Sequence, residues 1–429
     1  MYKINLSFDL IKYIKFSLFL LPFFVITGPF LAEIVIFVCS LYYILDILKK
    51  KKINLYHNTF NLGFLIFFVL INISSIFSND FETSILKSIL YIRFFLFFYF
   101  INTYLNNEDF RKFNFSIILA VAFVVIDIFI QYIFGKDIFG FSPGMNGLRY
   151  QGPFGDEWIS GSYLKNFGII AVSFIFLNFK TINKINLTNL SIVFLVIAIF
   201  LSGEKMSLIL FIFFTVIFFL IYIKYFLKTF FIFLVTLLVI LSYIFFTEVN
   251  FDNKTTKFEK LIYRYNQQFL NVLGFNDNSK TIIFDTIHGV HLITAYEIYK
   301  ENKIFGSGIK TYRFTCKNID PQIIKKYGVS EGRAISNRCT SHPHNFFIEI
   351  LSETGLLGLF GYLFFLFLIL RNFNWKFNEN SNYNIPYFFS FLIFIFPFAT
   401  SGSFFNNYNS IIFWIILSFM FINKKKLNC

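Results

Sequence analysis

The sequence predicts an all-α polytopic membrane protein, with about twelve transmembrane helices and one large loop outside the membrane. Three observations carry this. Of 429 residues, 56% are hydrophobic and 14% charged, whereas a soluble domain carries about 25% charged residues. The apolar residues gather in runs approaching the roughly 20 needed to cross a bilayer. Lys and Arg collect in alternate breaks between those runs, the bias that sets orientation.

Taken in order, the runs fall near residues 14–28, 31–48, 60–77, 85–104, 114–134, 161–178, 189–202, 206–223, 229–247, 345–370, 386–400 and 408–423. The first passes almost at once into the second and lacks a small-residue cleavage site, so it reads as a span and not as a cleavable signal. With the N-terminus inside, the inner breaks hold Lys3, Lys12, Lys15, Lys49 to Lys52, Arg111, Lys112, Lys180, Lys184, Lys224, Lys228, Arg371, Lys376 and Lys424 to Lys426. The short outer loops hold chiefly Lys136, Arg149 and Lys205. Both termini are then cytoplasmic. The net charge of +14 would suggest a nucleic-acid partner on a soluble domain; here it reads as topology among membrane lipids, with no nucleic acid.

The chain divides into residues 1–247 with helices one to nine, an outer loop over 248–344, and 345–429 with helices ten to twelve and a cytoplasmic tail. Within the loop, Ile283, Ile287, Val290, Ile293 and Ile298 recur near helical spacing, predicting an amphipathic helix over 282–302. Cys316 and Cys339 share the loop, where an oxidising compartment permits a disulfide; two free thiols are the alternative. Joining them with His342 or His344 around zinc matches no closed zinc spacing.

The chemistry-bearing residues cluster outside. His342, His344 and Asn345 stand where the loop meets the tenth span, with Glu349 and Glu353 four residues apart on one helix face. A neutral imidazole suits proton abstraction from a sugar hydroxyl. The "LSGEKMS" turn puts Glu204 and Lys205 at its tip, where they either pair or offer Lys205 to an anion. The Gly- and Pro-rich loop 135–160 carries Arg149 with Asp156 and Glu157; Arg149 either pairs with Asp156 or grips phosphate through its fork. Arg93 and Asp127, costly in hydrocarbon, are expected to face the bundle interior and to pair.

The run from His342 through Pro, His344, Asn345, Glu349, Glu353, Gly355 and Gly358 resembles the signature of the bacterial O-antigen ligase and polymerase superfamily. The stretches "AYEIYKENKIFGSGIKTYR", "LRYQGPFGDEWISGSYL", "LSGEKMSLI" and "PFATSGSFFNNYNSIIFW" are similar to other segments of that family, in the same order. The resemblance implies a mostly helical GT-C-like membrane fold in the bacterial inner membrane, its site facing the periplasm. It implies an inverting, metal-independent glycosyltransferase without a cofactor. The donor would be a glycan on undecaprenyl diphosphate, and the acceptor a sugar hydroxyl of lipid A-core or, in a polymerase, of another lipid-linked glycan.

Beside that resemblance, transfer needs cations for the leaving diphosphate and a base or orienting group for the acceptor. Lys205 and Arg149 supply the first and His344 with His342 the second, with Asn345 and Glu349 as further substrate-binding candidates. The family commonly has Arg where this chain has Lys205, and often Arg where it has His288. Arg264, His288 or Arg313 are candidates to complete the grip. A secondary transporter would instead gather its polar residues at mid-membrane in two similar halves, and no such repeat is visible; a catalytically silent scaffold is the third class.

Overall fold

The computed structural model describes residues 6–51, 58–178, 184–246, 256–273, 284–373 and 384–422. Lys3, Lys52, Lys180, Lys376, Lys424 to Lys426, Ile283 and Cys429, which entered the sequence reading, lie outside the described residues. Among the described residues the chain is helical, with one isolated bridge, Gly144 to Arg149, and no strand.

Eight helices among the described residues are long and apolar enough to cross a membrane: Pro29–Lys50, Thr59–Ile76, Phe81–Tyr104, Asn107–Phe134, Ser160–Asn178, Lys184–Leu201, Ile223–Ile240 and Phe346–Asn372. Lys205–Ile221, Ile385–Phe394 and Asn407–Met420 are apolar but shorter. The first predicted run is two helices, Leu6–Phe19 and Leu21–Ile26. Pro22 has no N–H to carry the ladder through; beyond it Phe23 N–H donates to Leu20 O at 3.0 Å, and the Phe19 carbonyl accepts from the Ser116 hydroxyl.

Burial runs against apolarity here, since the least apolar of these helices is the most enclosed. The Ser160–Asn178 helix is 89% buried over its most apolar window and Ile223–Ile240 only 6%, so the former is the axis of the bundle and the latter lies at its rim. Asn107–Phe134, Lys184–Leu201, Lys205–Ile221 and Ile385–Phe394 pack around that axis. Asn58–Ile76 and Phe346–Asn372 form a second close pair, filled by aromatic contacts such as Phe60 on Phe365, 5.4 Å between centroids, and Phe67 on Tyr362 at 5.8 Å.

The Phe346–Asn372 helix is interrupted at Gly355, whose φ of +65° only glycine adopts freely and whose added Cβ would strike the Ile304 carbonyl. The interruption frees backbone groups that the outer segment captures. Leu356 N–H donates to Lys303 O at 2.9 Å, Gly308 N–H to Glu353 O at 2.7 Å and Ser307 N–H to Ser352 O at 3.0 Å. The loop is thereby docked on a spanning helix through its backbone.

Two expectations are corrected here. Arg93 pairs with Glu33 and not with Asp127: its Nε lies 2.9 Å and its Nη2 3.1 Å from the two Glu33 oxygens. The fork cancels both charges locally, which meets the cost of placing either in hydrocarbon. Asp127 instead accepts from Ile138 N–H at 2.8 Å, fastening the start of the 135–160 loop. The amphipathic helix runs Ile287–Glu301, because Thr286 caps it by accepting from Gly289 N–H at 3.0 Å.

Candidate functional site

Gly203 reverses the chain between two apolar helices at φ +67°. A Cβ there would stand 2.9 Å from Leu148 O, 3.1 Å from Arg149 Cγ and 3.2 Å from Arg264 Nε. The missing side chain is therefore what lets two arginines close on the turn. Arg149 is carried by a small closed loop: Gly144 N–H donates to Arg149 O at 2.9 Å, Arg149 N–H to Gly144 O at 3.2 Å, and Tyr150 N–H to Leu201 O at 3.2 Å. Its guanidinium lies 4.9 Å from the Trp158 ring centroid, an orientation favoured by the negative ring face. Arg264 comes from the Lys257–Leu273 helix, which the neighbouring Tyr265 hydroxyl ties to Phe200 O at 3.1 Å.

These cations are in excess. Glu204 is the nearby carboxylate, and its oxygens accept from Gly161 N–H at 2.7 Å and Ser207 Oγ at 3.1 Å, not from Lys205. Nor does Arg149 pair with Asp156, which is exposed. The Nε atoms of Arg149 and Arg264 are buried without a hydrogen-bond partner. Lys205 stands close enough to both arginines to feel their charge. Burial, with Arg149 beside it, pushes the Arg264 guanidinium down to about 10. It stays charged at neutral pH, so two buried donors of a positive cluster face no acceptor; an anion would relieve both costs.

Beside the cations stand four histidines. His288 and His291 share one side of the Ile287–Glu301 helix, and His342 and His344 hang from the loop before Phe346. Ring centroids are 4.1 Å apart for His342 and His344, 5.1 Å for His288 and His344, and 5.2 Å for His291 and His344. The loop is tethered at several points. Cys316 and Cys339 are joined by a disulfide with Cα atoms 5.3 Å apart. The Tyr312 hydroxyl donates to Arg338 O at 3.2 Å, Ser341 Oγ lies 2.8 Å from His342 Nδ1, and Ser401 N–H donates to His344 O at 2.9 Å.

Desolvation disfavours the imidazolium. Burial, followed by the neighbouring His344 and Lys310, pushes His342 down to about 3. Burial, followed by His288, pushes His344 down to about 4, and His291 falls to about 4 for similar reasons. His288 is lowered by desolvation and then by Lys205 and Arg149, so it marks the seam where the two clusters meet. At neutral pH these rings are neutral, so each carries a ring nitrogen that can accept a hydrogen bond from a hydroxyl. Among the described residues, no group of His, Cys, Asp and Glu is arranged to hold a metal ion.

Three residues expected at the substrate have other work. Asn345 caps the Phe346–Asn372 helix, its Oδ1 accepting from Phe347 N–H at 3.0 Å and Ile348 N–H at 3.1 Å. Its Nδ2 donates to Pro397 O at 2.7 Å and Ala399 O at 3.2 Å, so its polar atoms are engaged within the protein. Glu349 is fully buried, taking the Ser403 hydroxyl on one oxygen and Phe404 N–H on the other at 2.7 Å; it holds a turn. Arg313 is exposed and lies on the side of Lys310 and Glu349, not among Arg149, Lys205 and Arg264.

Sequence reasoning missed Lys310 and Trp158. Lys310 is 8% exposed and lies two residues past the "GSG" of the stretch "AYEIYKENKIFGSGIKTYR". Its one signal was a lysine shortly after that glycine pair, within the outer loop. Trp158 gave no signal beyond its type.

Residues 190–363 match the model of a family described as O-antigen ligase. The match covers the Gly203 turn, Arg264, the four histidines, Lys310 and both buried glutamates, and leaves the Arg149 loop outside it. No curated protein matches the chain.

Proposed function

We propose, from the match of residues 190–363 to a family described as O-antigen ligase, that this membrane protein is an inverting glycosyltransferase. It moves a glycan from an undecaprenyl-diphosphate donor to a sugar hydroxyl of lipid A-core, as an O-antigen ligase. The observation that carries the reading is the juxtaposition of partnerless buried arginine donors with neutral histidines, bridged by His288.

The acceptor hydroxyl attacks the anomeric carbon, and its proton passes to the imidazole of His344 or His342. The bond from that carbon to the diphosphate oxygen breaks, and its electron pair leaves on the polyprenyl diphosphate. Arg149, Arg264 and Lys205 meet the charge that grows there, where preorganised donors outperform water. Mutual hydrogen bonding of acceptor and histidine before attack supplies the orientation. In the same reading the chain crosses the bacterial inner membrane twelve times, with both termini cytoplasmic and the site on the periplasmic face. What supports that placement is that the 135–160 loop, the Gly203 turn and the outer segment meet at one end of the bundle, while Lys15–Asp109 and Lys50–Asp46 pairs lie at the ends assigned inside.

The test is purified protein in liposomes with an undecaprenyl-diphosphate glycan and lipid A-core. Glycosylated lipid A-core supports the ligase. Extension of the lipid-linked glycan alone replaces it with the polymerase of the same superfamily, and donor movement without a new glycosidic bond replaces it with a transporter.

A further inference from the structure

Below the histidines lies a buried polar chain that the proposed chemistry does not use. Lys310 has the left-handed φ of +66° because its backbone is held from two sides. Its N–H donates to Glu353 Oε2 at 2.8 Å while Tyr312 N–H donates to Glu353 Oε1 at 3.1 Å. Its ammonium donates to Ser403 Oγ at 2.6 Å. The Ser403 hydroxyl in turn donates to Glu349. Glu349, Glu353 and Ser403 are 2% exposed or less, so the chain is sealed from water.

What the ammonium grips is the turn that carries the histidine loop. Residues 399–404 receive Asn345 Nδ2 at Ala399 O, give Ser401 N–H to His344 O at 2.9 Å, and give Phe404 N–H to Glu349. The far side is fixed by Asn409, whose Nδ2 donates to Ser403 O at 2.9 Å, and by Ser410, whose hydroxyl donates to Phe404 O at 2.9 Å. Among these contacts, the Lys310 bridge is the one that joins this turn to the 305–312 segment. It also carries a charge: a lysine between two buried carboxylates offsets a repulsion that would otherwise push Glu349 and Glu353 apart.

We propose that Lys310 is a positioning residue for the transfer reaction, acting through Ser403 to fix the 399–404 turn and thereby the place of His344. The inference rests on the glycosyltransferase reading for its kinetic part and on geometry alone for its structural part. A displacement of the base by about 1 Å costs on the order of 100-fold in rate, which the bridge prevents.

The experiment uses the full chain in liposomes with the undecaprenyl-diphosphate glycan and lipid A-core, comparing Ser403→Ala, Lys310→Met and the charge-balanced pair Lys310→Met with Glu349→Gln. Ser403→Ala removes the bridge without unbalancing charge. It is expected to lower kcat about 10- to 100-fold with donor KM within about twofold, and to speed amide hydrogen exchange across 399–404 while leaving the 312–318 segment protected. Wild-type kcat together with wild-type exchange in Ser403→Ala overturns the proposal. If Lys310→Met fails to insert but Ser403→Ala inserts, the Ser403 result decides. If the unsubstituted chain transfers nothing, the glycosyltransferase reading falls, and the exchange of 399–404 alone still upholds or overturns the bridge.

Discussion

His344 combines a left-handed φ of +59° with a ring packed among three others, and both features serve one end: a neutral base held still. The ordinary value for histidine is 6.5, and here burial and His288 bring it to about 4. Since the folded value is the lower one, the imidazole stays neutral as pH falls to about 4. The unfolded chain takes up its proton first, so this histidine withdraws stability between pH 6.5 and 4. The acid limb of kcat/KM measured against pH is therefore expected near 4 and not near 6.5. His344→Ala and Lys205→Ala are each expected to abolish transfer while the protein remains inserted, as membrane fractionation and the liposome assay would report. Arg149→Ala and Arg264→Ala each remove a donor to the leaving group and are expected to cost about 100- to 1,000-fold in kcat; unchanged kcat would remove that arginine from the site. The histidines and Lys205 were legible because two His beside a helix cap, and a charge at the tip of a tight turn, are unusual in so apolar a chain. The internal partners of Glu349 were not legible, because sequence gives a carboxylate's neighbours along one helix, not the Ser403 and Phe404 that reach it from more than fifty residues away.

At the scale of elements, apolar runs and helices correspond wherever a run is long, since every backbone group in hydrocarbon must be satisfied internally. The breaks are less legible. Pro22 splits the first run, and the Lys205–Ile221, Ile385–Phe394 and Asn407–Met420 helices fall short of a full span, so the count of twelve crossings rests on those four. The interruption at Gly355 left its trace only as a glycine in a motif. Gly355→Ala is expected to destabilise by about 1–3 kcal/mol through overpacking, read as a lower Tm in detergent, with the outer segment losing exchange protection first. The disulfide between Cys316 and Cys339 closes a loop whose constraint contributes about 3 kcal/mol in the chain-entropy view. Reduction with dithiothreitol is expected to lower transfer without releasing the protein from the membrane, because the staple holds the histidine loop and not the bundle.

For the whole molecule, the separation between a lipid-facing helical bundle and a sealed polar head follows from the charge pattern. At the Gly203 turn Arg149, Lys205 and Arg264 gather around a single carboxylate, Glu204, and outnumber it. A strain lacking the protein is expected to show bare lipid A-core together with accumulated lipid-linked polymer on an envelope-polysaccharide gel. A single glycan unit on the core would point to the polymerase, and an unchanged profile to another pathway. Reagents that label introduced cysteines from outside the cell are expected to reach position 156 and not position 111.

The stacking of Arg149 over Trp158 has a practical consequence. The chain has three tryptophans. Trp414 is sealed in the core, whereas Trp158 is 48% exposed and touches a guanidinium assigned to the leaving group. Emission from Trp158 is a built-in optical gauge: drawing Arg149 toward a diphosphate alters the quenching of that indole. Titration with an unlabelled pyrophosphate analogue would then display occupancy of the cationic pocket as a fluorescence change, without any dye or turnover.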